Sequence, residues 1–462
     1  MVDFTKRLGK KAATKPIDPI EIYETLDRAS DKGPLRQAQA AVLKEWHDQR
    51  RNKRDAIVKL HTGQGKTLIG LLILQSKLNE DGGPVVYLCA NNFLINQTCT
   101  QATQFGVSFC IADDDFPAEF LDGKSILITS VQKMFNGMTK FGLGASSVAV
   151  STVLMDDANA CIDSIRDSLQ IRIPADEQAY TEIRNLFSSS LEYQGAGTYA
   201  DICNKNPEAY LLVPYWEWRD KNAEVVDILA KYTASNSIKF AWPLIKDLLQ
   251  DCQCLISGKS LEIAPYLPPL HLFGSYYKAR HRVFMSATVV NDSFLIKGLG
   301  LSPETITDPL VYKDEKWSGE KMILIPSLID ESLSRGLVVE TFAKPSDRRT
   351  VGLVALVPSF NKTSDWKGYG ASIATRENID AQIDKLLKGD FKHTLVIVNR
   401  YDGIDLPDSA CRVLVFDSKP YSESLVDTYI EGCRANSEVT AMRTARTIEQ
   451  GLGRSVRGEK DY

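Results

Sequence analysis

The chain has 462 residues, 44% of them hydrophobic and 25% charged, and carries a formal net charge of −4. At roughly 150 residues per domain this length predicts about three domains, and an ordinary composition without repeats or low-complexity tracts excludes solenoids and long disordered tails. Slight acidity excludes a globally basic nucleic-acid binder but leaves room for a local basic stripe.

Residues 1–33 read as a polar lead-in, basic at Lys6, Arg7, Lys10, Lys11 and Lys15, with one amphipathic helix around Ile20–Arg28. Pro34 opens a helix running through Leu43 and Trp46. Ala56–Leu60 is a short strand, Thr67–Lys77 an apolar helix, Pro84–Ala90 a buried strand and Phe93–Phe105 a helix. Ser125–Thr129 and Thr152–Met155 are further strands. Apolar strands alternating with helices predict a parallel sheet covered on both faces. The pattern then changes. Helical segments at Glu177–Leu191, Trp216–Tyr232 and Trp242–Leu249 predict a mainly helical insertion over 163–278, with strands at Leu255–Ser257 and Leu261–Ala264. Val283–Ser286 returns to the first unit, which therefore comprises 34–162 and 279–320. A second α/β unit over 321–462 has predicted strands at Met322–Ile325, Gly352–Val357, His393–Val398 and Arg412–Phe416, with a loop at Pro345–Asp347. The chain stops at Tyr462 on the heels of a motif, which predicts an incomplete second unit and a longer native protein.

No apolar run approaches the roughly 20 residues of a membrane span. The Met1 region is charged and is no signal peptide. The sequence therefore reads as cytoplasmic, without a membrane partner. Nine scattered cysteines fit a reducing compartment. Cys252 and Cys254 form a CxC pair, either a metal-ligand pair or two small apolar residues buried in a strand.

Three motifs carry chemistry. Thr62, Gly63, Gln64, Gly65, Lys66 and Thr67 follow a strand and open a helix, the context a phosphate loop requires. Glycines let successive N–H groups converge on phosphate oxygens, and the helix N-terminus adds partial positive charge. Lys66 reaches the β and γ phosphates and the Thr67 hydroxyl ligates Mg²⁺. Leu60 occupies the place of the earlier glycine of the full pattern. Val153–Asp157 is an apolar strand ending in two carboxylates, where ligands of such sheets bind. Asp156 is placed to hold Mg²⁺ through its waters, and Asp157 to orient and deprotonate the attacking water. Gln450–Arg457 places Arg454 and Arg457 three apart, on one face if the segment is helical. They read either as a solvated basic helix or as guanidiniums aimed at a γ-phosphate, a device worth roughly 10³–10⁵ in rate.

In this order the three motifs resemble motifs I, II and VI of superfamily 2 helicases of the DEAD/DEAH type. Leu35–Gln39 resembles the Q motif, with Gln39 reading the adenine edge. Ala90–Gln97 sits where motif Ia does, and Ile128–Ser130 fits motif Ib. Ser286-Ala287-Thr288 is similar to motif III, which links hydrolysis to nucleic acid. Val357–Ser359 resembles motif IV and Asp402–Leu406 motif V. The resemblance implies two RecA-like parallel-sheet domains with a helical insertion in the first, an ATP site that also uses Asp405 and Gln450, and coupling through Ser286 and Thr288. It implies nucleic-acid contacts at Asn91, Thr129, Ser130 and Ser359. Two residues depart from the family: Asp157 is one methylene shorter than the usual glutamate, and Asn159 replaces histidine.

Motif V, the Gln450–Arg457 ending and the insertion resemble XPD-like helicases and, in general look, the helicase subunit of bacterial Hachiman defence systems. The interval that holds the XPD iron–sulfur domain has only Cys89, Cys99 and Cys110 here, so no cluster is expected. The expected function is an ATP-driven DNA helicase or translocase, with an RNA helicase or a nucleotide-switched binding clamp as alternatives. A nuclease or other effector subunit is the partner the defence resemblance implies. Trp216 and Trp218 of the insertion read either as core or as a wedge that stacks on bases.

Overall fold

A computed structural model describes residues 15–61, 64–113, 115–287, 293–313, 322–375, 377–398, 406, 408–419, 424–434 and 437–452. The first strands are β1 (Asp55–Lys59), β2 (Val85–Cys89), β3 (Phe109–Cys110), β4 (Ile126–Ser130) and β5 (Thr152–Met155). Then come β6 (Ile171–Pro174), β7 (Tyr210–Leu212), β8 (Cys252–Ser257) and β9 (Ser260–Pro265), followed by β10 (His281–Ser286) and β11 (Leu310–Val311). The last are β12 (Leu353–Val357), β13 (Ser372–Ile373), β14 (Leu395–Val398) and β15 (Val413–Phe416).

Among the described residues, the first sheet runs β11-β1-β10-β5-β2-β4-β3, and all its pairs are parallel. Successive side chains alternate between its faces. Val86 and Leu88 point into one core, whereas Val85, Tyr87 and Cys89 point into the other. The 16-residue helix Lys66–Asp81 covers the second face, capped by left-handed Gly65 and Gly82. Helix Ala158–Ser168 covers the first. A second sheet, β13-β14-β12-β15, is also parallel and has a buried cluster on each face. The architecture is mixed α/β, built on two parallel sheets.

Segment 163–278 is rich in helices, as expected, but also holds a sheet of which only two strands were expected. Its helices surround an antiparallel sheet, β6-β9-β8-β7. The strands expected at Leu255–Ser257 and Leu261–Ala264 belong to this sheet rather than to the first. Trp216–Tyr232 divides into helices Tyr215–Asp220 and Asn222–Lys231. The CxC cysteines are buried on β8. One buried cluster runs without a break from Val86 and Met155 of the first sheet to Ile183, Trp218 and Ile263 of the insertion.

Met322–Ile325 is not a strand. A strand exists through its ladder, and the described strands of the second sheet pair only with one another. The run instead lies exposed, from 86% at Met322 to 51% at Ile325, and Pro326 then opens a helical turn.

Helix Leu425–Cys433 follows β15 and packs on the antiparallel sheet through Val426, Leu255 and Ala264. Glu262 on β9 is fully buried there. Its carboxylate accepts from Ser424 Oγ at 2.7 Å, Leu425 N at 3.0 Å and Val426 N at 3.3 Å. Arg172 also donates to it, from Nη2 at 3.2 Å. A carboxylate at a helix start meets free N–H groups and the positive end of the helix dipole.

Candidate nucleotide site

Three neighbouring strands end at one edge of the first sheet, and a candidate site residue stands at or just beyond each end. Beyond β1, the Leu60 N–H donates to the Ser286 carbonyl at the end of β10, 3.1 Å away. Gly65 has φ 75°, the left-handed region where glycine has no Cβ to clash. An added Cβ would also strike Gln39 Nε2. Gln39 is 5% exposed. Its Oε1 accepts from the Arg36 N–H at 3.0 Å, and its Nε2 donates to the Gly65 carbonyl at 3.4 Å. Gln39, expected at an adenine edge, is thus bonded to the glycine that opens helix Lys66–Asp81. Lys66 donates from Nζ to the carbonyls of Leu60 at 3.0 Å and His61 at 3.2 Å.

Asp156 stands just beyond β5 and is nearly buried. Its Oδ2 accepts from the Tyr87 hydroxyl at 2.7 Å, and its Oδ1 accepts from the Asp157 N–H at 3.0 Å. Tyr87 lies fully buried on β2, next to β5. Burial, and then the charge of Asp156, push this phenol well above its usual pKa, so it stays a donor. The same two causes raise the Cys89 thiol. Asp157 has φ 48° and ψ 67°. Left-handed backbone outside glycine stores on the order of 1–3 kcal/mol and gathers at functional sites, although aspartate tolerates it better than most residues.

Behind these carboxylates, Asn159 Nδ2 donates to Ser286 Oγ at 2.9 Å, and both side chains are buried. Asn159 thereby ties helix Ala158–Ser168 to the end of β10. Sequence reasoning missed Tyr87. Its signal was a hydroxyl in an otherwise apolar buried strand, which demands a partner.

The four residues expected at nucleic acid are placed apart from one another in character. Asn91 is exposed and caps helix Asn92–Phe105, its Oδ1 accepting from Leu94 N at 3.0 Å. Ser130 caps the next short helix, accepting from Lys133 N at 3.3 Å. Asn91 and Ser130 follow or end adjacent strands, since Cys89 pairs with Ser130 in register. Thr129 is 1% exposed and faces inward. Ser359 is half-buried beyond β12, beside Phe360, which is 63% exposed. Thr62, Gly63, Thr288, Asp405, Arg454 and Arg457 lie outside the described residues, as does the side chain of Gln450. The backbone of Gln450 belongs to helix Glu438–Leu452, which packs on the second sheet where Gly451 abuts Phe416 and Leu356.

Residues 32–193 match the family model described as type III restriction enzyme, res subunit. Among solved structures, Xpd4 of S. tokodaii aligns with a TM-score of 0.58 at 14% identity, over 92% of this chain and 94% of that one. A structure titled as apo XPD gives 0.55 at 14% identity, over 92% and 93%. The fold of the chain resembles that of XPD. A third XPD helicase structure gives 0.54 at 13% identity, over 93% of this chain and 95% of that one. The curated proteins contain no sequence match. Among the described residues, no three His, Cys, Asp or Glu side chains gather to hold a metal, and no helix is long and apolar enough to cross a membrane. The oxygens of Asp156 and Thr67 nevertheless suit Mg²⁺, which keeps its waters and takes one or two protein ligands beside substrate phosphates. Each Asp156 oxygen accepts one internal hydrogen bond and retains a lone pair for a metal-bound water.

Proposed function

We propose that this XPD-like chain is an ATP-driven helicase or translocase acting on DNA, on single strands or on duplexes with a single-stranded end. The observation that carries the reading is the gathering of Lys66, Thr67, Asp156 and Ser286 at one edge of the β1-β10-β5 strands. Strand ends of an open parallel sheet are where ligands bind. Phosphate oxygens compete with the Leu60 and His61 carbonyls for the Lys66 ammonium, and a charged acceptor wins over neutral ones. Asp156 and Thr67 would hold Mg²⁺, which would supply positive charge beside the phosphates. Asp157 accepts a proton from water as its oxygen attacks the γ-phosphorus and ADP leaves. Arg454 and Arg457, carried beyond helix Glu438–Leu452, stabilise the charge on the transferring group. Ser286, bonded to Asn159, and Thr288 transmit the change to the strand-binding surface, where Asn91, Ser130 and Ser359 meet the sugar–phosphate backbone without reading sequence.

The test is ATP turnover with and without single-stranded DNA and RNA, paired with strand displacement on both. DNA should stimulate turnover more than RNA, and Lys66→Ala should abolish it. A Lys66→Ala protein that still hydrolyses ATP would sink the proposal. A second reading, a nucleotide-switched clamp with weak turnover, is favoured by the short side chain and left-handed backbone of Asp157. It predicts ATP-dependent DNA retention without multiple turnover. The unit boundaries at 162, 279 and 321 belong to the same proposal and are checked by limited proteolysis. A role in cytoplasmic anti-phage defence with a nuclease or other effector subunit rests on the Hachiman resemblance, and plaque counts with Lys66→Ala test it.

A further inference from the structure

Tyr87 belongs to none of the motifs, yet its hydroxyl sits between two of them. Its donor bond to Asp156 Oδ2 and the Asp157 N–H bond to Oδ1 hold both oxygens of one carboxylate, at 2.7 Å and 3.0 Å. A carboxylate held at both ends cannot rotate about its Cβ–Cγ bond, so the direction of its remaining lone pairs is set before any ligand arrives. The phenol ring also packs against the helix that carries Thr67, the other oxygen donor expected at the metal. It reaches that place because the phosphate-loop helix has glycine at its fifth position. A Cβ on Gly70 would lie 3.0 Å from Tyr87 Cε2 and 2.7 Å from Met285 Cε. The helix therefore approaches the sheet closely enough for one phenol to span from the loop helix to the acidic strand end.

We infer that Tyr87 is a positioning residue for Mg²⁺: through Asp156 it fixes the geometry in which the metal of a bound nucleotide is held. The inference rests on the nucleotide-site reading above. Residues that orient metal ligands typically account for 10–100-fold in metal affinity or activity. The phenol touches no phosphate in this arrangement, so its removal should leave metal-free nucleotide binding intact.

The experiment titrates the full chain with a fluorescent ADP analogue at a series of Mg²⁺ concentrations, from EDTA upwards. Tyr87→Phe should raise the Mg²⁺ concentration at half-effect about 10-fold or more, while affinity in EDTA stays within about twofold of wild type. In an Asp156→Asn background the same substitution should have little further effect, because residues acting as one unit are not additive. Tyr87→Met, which fills the slot with a flexible side chain, serves if Tyr87→Phe lowers the melting temperature. An unchanged Mg²⁺ dependence in Tyr87→Phe overturns the inference and leaves the nucleotide site standing. Wild-type protein that binds no nucleotide at any Mg²⁺ concentration overturns both.

Discussion

Replacing Glu262 by alanine should release helix Leu425–Cys433 from the antiparallel sheet. The carboxylate is fully buried and takes one hydroxyl and two main-chain donors from the start of that helix. Hydrogen bonds to a charged group contribute about 1.5–3 kcal/mol each, and loss of a helix cap about 1 kcal/mol. The losses are not additive. Ser424 still caps its own helix by accepting from Asp427 N, and Arg172, 38% exposed, can turn to water. A local loss of about 3 kcal/mol follows, roughly 100-fold in the opening equilibrium. Hydrogen exchange resolved to single amides measures it directly: Leu425 and Val426 should exchange roughly 100-fold faster in Glu262→Ala, with the first sheet unchanged. Glu262→Gln keeps one acceptor oxygen and should fall between. Unaltered exchange at both amides would refute the claim that this carboxylate anchors the helix.

The two tryptophans of the insertion should separate cleanly. Trp218 is buried, stacked at 5.7 Å on Phe187 and donating to the Leu249 carbonyl at 2.7 Å, so Trp218→Ala should cost about 3–5 kcal/mol in denaturant unfolding. Trp216 is 56% exposed. Its alanine variant should leave the melting temperature alone and weaken single-strand binding about 10-fold, the scale of one lost base stack. Asn159→Ala and Ser286→Ala should each uncouple turnover from DNA, and a double-mutant cycle should give a coupling of about 0.5–3 kcal/mol; additive effects would mean that the 2.9 Å bond carries nothing. His281 accepts from Trp46 Nε1 and donates to the Lys53 carbonyl, and burial holds its pKa down at about 4 against 6.5 unperturbed. The unfolded chain therefore takes up a proton that the fold refuses. Stability should be full above pH 6.5 and fall by up to about 3 kcal/mol as pH drops towards 4. In His281→Gln that slope should flatten, which melting curves at stepped pH will register.

The strand and helix flanking the glycine–lysine segment, the acidic strand end and the alternating parallel strands were legible because each is a local signal. Glycine beside lysine, apolar runs of four or five residues and carboxylates at a strand end all lie within one short window. What stayed hidden depends on partners distant in the chain. Asn159 meets Ser286 and Tyr87 meets Asp156 only after the strands are ordered β10-β5-β2. β7 is three residues long and half-buried, too short for its period to emerge from the helices around it. Met322–Ile325 has the composition of a strand, and only the ladder could decide. Trp216 and Trp218 look alike in sequence, but residues two apart on a helix face different ways, and burial assigned one to the core.

The unbroken cluster linking Val86 and Met155 to Trp218 and Ile263 bears on how the insertion would respond to a load. An appendage on a flexible stalk could swing through the catalytic cycle. Side chains interlocked at crystal-like density leave no joint at which to bend. The insertion and the first sheet would therefore meet a load as one body, and any shift of the second sheet would have to carry, or break, the contact that helix Leu425–Cys433 makes with the insertion through Val426, Leu255 and Ala264.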